Sequence, residues 1–126
     1  MKALLIRQQY LNRILNGKKI WEIRGSRTVL RGQIALIESK SGLVVGICEL
    51  TDCIGPLTVR HLNENARKAD IYPKAVKLPY GKRTFAWRLS RARRLPKPVP
   101  YKHPAGAVIW VNLDSKVARK VKKAFG

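Results

Sequence analysis

Apolar and polar positions along this chain alternate in two different periods, and those periods lay out the elements. Residues 2–6 form a short apolar run, Ala3-Leu4-Leu5-Ile6, of the kind a buried strand carries. Residues 8–15 place Leu11, Ile14 and Leu15 at the i, i+3, i+4 spacing of a helix face, and Gly17 supplies a stop after it. Residues 20–24 alternate and predict a strand, and Gly25-Ser26 turns the chain. Residues 33–38 and 43–53, rich in Ile, Leu and Val, predict two further strands with a hairpin-like connection at 39–42. Gly46 inside the second marks a bulge or a close backbone approach.

The spacing of Leu62, Ala66 and Ala69 predicts one helix over 58–69, with Thr58 as its N-cap and Tyr72-Pro73 closing it. A basic loop follows at 74–83. Phe85, Trp87 and Leu89 then alternate with Thr84, Ala86 and Arg88 in a long strand expected over 84–95. Prolines at 96, 98, 100 and 104 predict a loop, since each removes a ladder donor. Residues 107–113 read as a final strand. Asp114 or Ser115 caps a last helix, with Val117, Val121 and Ala124 inward and Lys116, Arg119, Lys120, Lys122 and Lys123 outward. About six strands with two or three helices and irregular connections predict an α+β fold, built as a small mixed barrel or curled sheet.

Length changes this picture little. A chain of 126 residues suits one domain and buries roughly two-thirds of its unfolded surface, so it needs no staple. Cys48 and Cys53 stand at a C-x4-C spacing that matches no common zinc pattern, and His61 and His103 are the only histidines. Two reduced thiols, no metal and no cofactor are expected. Arg7, Gln8 and Gln9 interrupt the N-terminal apolar run too early for a secretory leader, and no run approaches a membrane span of about 18 residues. The expected location is cytoplasmic, with no membrane partner.

Charge changes it a great deal. Lys and Arg number 27 against 7 Asp and Glu, a net charge of +20. The excess is uneven: from residue 74 onward there are fifteen basic residues and one acid, Asp114. So one-sided a field opposes compaction and calls for a polyanion, and nucleic acid is the expected partner. A membrane surface would call for exposed aromatics on a basic amphipathic helix, and the C-terminal helix offers only Phe125. Self-repulsion favours a monomer while no ligand is bound.

The most informative segment is Gly17-Lys18-Lys19-Ile20-Trp21-Glu22-Ile23-Arg24, a G-x-K-x-x-E-x-R pattern followed by Gly25-Ser26-Arg27 and then Arg31-Gly32. A second is Ala86-Trp87-Arg88-Leu89, followed by Arg94-Leu95-Pro96-Lys97-Pro98-Val99-Pro100-Tyr101-Lys102. Together, in this order, they resemble the ASCH domains of the PUA-like superfamily over residues 1–113, with 114–126 as a basic helical extension. The resemblance implies a small β-barrel with flanking helices, a cleft beside the first motif, and RNA rather than DNA as the favoured ligand. Some members resemble amidohydrolases of acetylated cytidine and one type is a ribonuclease, so a metal-independent hydrolase is the alternative function. The lysine matching the amidohydrolase type is Lys19. That type has a threonine three positions on, where this chain has Glu22. Glu64 lies in the region of that type's glutamate.

Alternation puts Glu22 and Arg24 on one strand face and Trp21 and Ile23 on the other, with Lys19 just before the strand, where it can bend over either face. A Glu–Arg pair leaves the guanidinium fork aimed at a phosphate or base edge, or is an ordinary cross-strand ion pair. A desolvated Lys19 can act as base or nucleophile beside Glu22. Lys18, Ser26, Arg27 and Arg31 flank the motif as candidate phosphate contacts. Trp21 is either core or a stacking platform, whereas Trp87 and Trp110 are expected in the core. Tyr80 and Tyr101, interleaved with Lys82, Arg83 and Lys102, suit single-strand binding.

Overall fold

The computed structural model describes residues 1–72 and 74–124. Six strands form one curled sheet in the order β2-β5-β4-β3-β1-β6. β1 (Lys2–Ile6) runs parallel to β3 (Gly32–Glu38), with Ala3 opposite Ala35 and Ile6 opposite Glu38. β4 (Leu43–Ile54) pairs antiparallel with β3 and with the long β5 (Phe85–Pro100). β2 (Trp21–Arg24) lies on the other side of β5, and β6 (Trp110–Asn112) pairs with β1. The helices are α1 (Gln8–Leu15), α2 (Val59–Glu64), α3 (Ala66–Ala69) and α4 (Ser115–Lys123), with a one-turn 3₁₀ helix at Gly81–Arg83. None of them is long and apolar enough to cross a membrane.

Alternation along β1 divides the core. Leu4 and Ile6 join Ile34, Leu36, Leu50, Phe85, Trp87 and Leu89, and Leu11 and Ile14 of α1 close that face. Ala3 and Leu5 face the other way, with Ala35, Ile37, Leu95, Val99 and Val111, under Ala118 and Val121 of α4. Trp21, Leu57, Leu62, Ala69 and Ala86 form a third cluster where α2 and α3 pack on β2. The sheet curls so far that Trp87 of β5 stacks on Trp110 of β6, ring centroids 5.6 Å apart, although their strands stand four places apart in sheet order. The architecture is the expected α+β fold, its six strands curled into a half-barrel, with four helices rather than two or three.

Several local expectations are corrected. The helix read over 58–69 is two helices, because the Asn65 side chain donates to the His61 carbonyl and its backbone leaves helical geometry. The prolines at 96, 98 and 100 lie within β5 rather than in a loop. They recur every second residue, so their missing donors all face the side away from β4, where β2 has already ended. β6 begins at Trp110, not at 107, although the Ile109 carbonyl still accepts from Leu5 N–H. α4 buries Ala118 and Val121, while Ala124 is exposed and Val117 only half-buried. Pro73 and Phe125 lie outside the described residues.

Candidate functional site

Gly17 makes the first site residue possible. Its φ of +82° lets the chain reverse after α1, and Lys18 and Lys19 N–H both donate to the Arg13 carbonyl, at 2.9 and 3.0 Å. That reversal sends the Lys19 side chain inward, to 5% exposure. Its Nζ donates to the Ala69 carbonyl at 2.7 Å, stands 4.0 Å from Glu22 Oε1, and lies 5.7 Å from the centre of the Tyr10 ring. Burial holds the Lys19 pKa below the ordinary lysine value, and nearby Arg24 and Arg13 push the same way against the opposing pull of Glu22.

Glu22 is also 5% exposed. Its Oε2 accepts from Arg24 Nη2 at 2.9 Å and from Arg24 Nε at 3.3 Å. The same Nη2 donates to the Leu5 carbonyl at 2.8 Å, so Arg24 links β2 to β1 across the mouth of the half-barrel. Its guanidinium carbon lies 5.6 Å from the centre of the Trp87 ring. Lys19, Glu22 and Arg24 thus form one nearly dry chain of charges, cation–anion–cation.

Glu22 and Arg24 line a cavity of about 640 Å³. Its other walls come from the start of α1 (Arg7, Gln8, Gln9, Tyr10), the β3–β4 turn (Ser39, Lys40), Tyr80 and Ile109. The parallel pairing of β1 with β3 explains this convergence, because it puts the β1–α1 and β3–β4 connections at the same end of the sheet. A second hollow of about 460 Å³ shares Leu5, Ser39, Lys40 and Val108 with the first and extends it to Tyr101 and His103. There the Tyr101 hydroxyl meets His103 Nδ1 at 2.9 Å, and His103 Nε2 meets the Ala107 carbonyl at 3.0 Å. A carbonyl only accepts, so Nε2 carries the proton and, in the neutral ring, the Tyr101 hydroxyl donates to Nδ1.

The remaining candidates are dispersed. Trp21 is 3% exposed and packs edge-on to His61 in the outer cluster, so its ring offers no open face for a base. The Ser26 carbonyl accepts from Trp87 Nε1 at 2.9 Å, and the Arg27 guanidinium lies 4.9 Å from the Phe85 ring centre. Arg31 pairs with Asp52 at 3.8 Å. Lys18, Lys82, Arg83 and Lys102 are exposed, and none lines the cavity. Glu64 pairs with Arg60 on the exposed side of α2 and is likewise not a cavity residue, so it does not supply the glutamate expected of an amidohydrolase. Sequence reasoning missed Arg7, Gln8, Tyr10 and Lys40, whose shared position follows only from the β1–β3 pairing. Among the described residues no cluster of His, Cys, Asp and Glu is placed to hold a metal ion.

Known proteins agree with this architecture. The structure resembles an ASCH protein from Zymomonas mobilis, with a TM-score of 0.72 at 15% identity over 97% of this chain and 93% of that one. Two single-residue mutants of an ASCH protein from the same organism match with TM-scores of 0.69 and 0.71, at 17% and 15% identity, over 97% of this chain and 94% and 96% of theirs. At such identities the likeness shows the fold. No curated protein matches the sequence at a significant level. The model of the ASCH domain matches residues 4–98, from the third residue of β1 to the prolines of β5, and takes in the Lys19–Glu22–Arg24 chain; this protein belongs to the ASCH domain family.

Proposed function

We propose that the protein binds single-stranded nucleic acid, RNA in preference to DNA, and seats one nucleotide in the cavity between α1, β2 and the β3–β4 turn. The observation that carries this reading is the convergence of Arg7, Arg24 and Lys40 with two half-exposed tyrosines, Tyr10 and Tyr80, on one hollow. A volume of about 640 Å³ suits a small ligand of nucleotide size. Tyr80 rests directly on the backbone of Gly25, where a Cβ would come within 2.8 Å of its ring, so its position depends on that glycine. Cations near the mouth suit phosphate, and ring faces suit a base. The RNA preference follows the family resemblance.

Fluorescence anisotropy with RNA and DNA, single and double stranded, at two salt concentrations tests it. Tyr10→Ala is expected to weaken RNA binding by roughly 5- to 150-fold, the equivalent of a lost stacking contact of about 1–3 kcal/mol. Unchanged affinity in both Tyr10→Ala and Arg7→Ala would remove the cavity from the binding path.

A second reading, hydrolysis without a metal, is favoured by one observation: Lys19, buried and held below the ordinary lysine pKa, stands behind a glutamate that lines the cavity. In that reading Glu22 exchanges the proton with substrate, Lys19 sets its electrostatics and Arg24 holds the substrate. Incubation with RNA and with N4-acetylcytidine tests it, and activity that survives Glu22→Gln would exclude this site.

A further inference from the structure

We infer that α4 and the distal part of β5 form a second nucleic-acid surface, remote from the cavity, that grips the phosphate backbone without reading bases. Position separates the two. The cavity lies at the C-terminal end of β1, whereas α4 follows β6 at the N-terminal end, where Leu113 N–H donates to the Met1 carbonyl. Its buried residues, Ala118 and Val121, cover the sheet face opposite the one that α1 covers. No residue of α4 lines either hollow.

The charges on α4 serve the fold only in its last turn, where Lys120, Lys122 and Lys123 suit the helix dipole. Lys116, Arg119, Lys120 and Lys123 follow the i, i+3, i+4, i+7 stripe, about 10 Å long on one exposed face. Lys116–Lys120 and Arg119–Lys123 are like-charge i, i+4 pairs, which destabilise a helix. Lys116 also stands in the first turn, where the helix dipole disfavours a cation. Among the described residues no ion pair reaches these side chains, since every acid but Asp114 is paired elsewhere or stands at the far end of the sheet. Glu22, Glu49, Asp52, Glu64 and Asp70 pair with cations outside α4, Glu38 ends β3 opposite Ile6 at the other end of the sheet, and Asp114 caps α4 through Val117 N–H at 2.9 Å. The cap and the packing of Ala118 and Val121 hold the helix despite its own repulsion. Exposed Lys97, between the buried Leu95 and Val99, adds a cation to the distal part of β5.

A polyanion is the matching partner. Among the described residues the outer face of α4 carries no aromatic or large apolar side chain, so a lipid surface finds no anchor there. A rigid row of cations fits a continuous run of phosphates, which releases counterions on binding.

This inference extends the nucleic-acid reading, and its test separates the two. The variant Lys116→Gln/Arg119→Gln/Lys120→Gln/Lys123→Gln, in which every changed side chain is exposed, is compared with wild type on RNAs of about 6 and about 24 nucleotides. On the long RNA the variant is expected to lose at least tenfold in affinity at about 0.1 M salt. Its plot of log affinity against log salt should be shallower by about 3, the share of four single-strand phosphates. The short RNA, which offers too few phosphates to occupy the cavity and the whole α4 row together, should lose much less affinity and slope in the variant than the long one. Lys116→Arg/Lys120→Arg/Lys123→Arg should retain wild-type behaviour. An unchanged salt slope on the long RNA would overturn the inference and leave the cavity standing. Loss on the long RNA with no effect of Tyr10→Ala would support α4 and remove the cavity. Tighter binding to phosphatidylserine vesicles than to RNA would overturn it in favour of a lipid surface. Failure of the wild type to bind any oligonucleotide would overturn both.

Discussion

Substituting Glu22 by Gln removes the one anion between two cations taken largely out of water. Side-chain exposure is 6% for Lys19, 7% for Glu22 and 15% for Arg24. Breaking a buried ion pair from one side costs about 3–5 kcal/mol, because the partner charge stays behind unpaired. For a domain of this size each kcal/mol lowers the melting temperature by about 3–5 °C, so a fall of roughly 10–20 °C is expected at pH 7. The Arg60–Glu64 pair is the internal control. Both its side chains are more than half exposed, and Glu64→Gln should change stability by less than about 0.5 kcal/mol. Lys19 adds a pH signature. Its pKa is depressed in the folded state, and without Glu22 the one influence raising it is gone. Between that lowered value and the ordinary value near 10.5 the unfolded chain binds more protons, so stability rises with pH through this window. The deficit of Glu22→Gln should therefore shrink as pH is raised from 7 towards 10. Urea unfolding at both pH values measures it. A variant within 1 kcal/mol of wild type at pH 7, or a deficit that grows with pH, would refute the account of the charge chain.

Other substitutions test the packing. Gly46→Ala would place a Cβ 2.6 Å from Leu15 Cδ2 and 2.8 Å from the Arg93 carbonyl oxygen, and should cost about 1–3 kcal/mol in urea unfolding. Burial pushes the Cys48 thiol up to about 12, whereas Cys53 is only half-buried. A thiol reagent at pH 8 should therefore modify Cys53 in the native protein and reach Cys48 only on unfolding, as peptide mapping will show. Asp114→Ala removes the side-chain acceptor of Val117 N–H and should lower stability by about 1 kcal/mol, with earlier amide exchange in α4.

The regular parts of this fold are legible in the chain because burial is periodic there. Leu4 and Ile6 against Ala3 and Leu5, or Phe85 and Trp87 against Ala86, alternate as two-sided strands must. What could not be read was competition between local rules. Helical spacing across 58–69 hid the Asn65 side chain, which satisfies a backbone carbonyl and divides the helix. Prolines at every second position read as breakers, yet that periodicity is what an edge can accept. Only the Glu22–Arg24 part of the charge chain was readable from strand alternation, since those two had to share a face, whereas Lys19 could bend either way until Gly17 was seen to turn it inward. The cavity was not, because half its wall comes from segments that meet only through the non-local pairing of β1 with β3. Trp21 was ambiguous among charged neighbours until α2 and α3 were seen to cover it.

The link made by Arg24 from β2 to the Leu5 carbonyl has a thermodynamic consequence. Where the curled sheet lacks ladder bonds between these two strands, a single guanidinium is the clasp. In the proposed complex, an anion that drew on Nη2 would take a donor that now holds both Glu22 and Leu5. Occupancy and loosening of the clasp would then be linked, and the coupling between them would be the same whichever is varied.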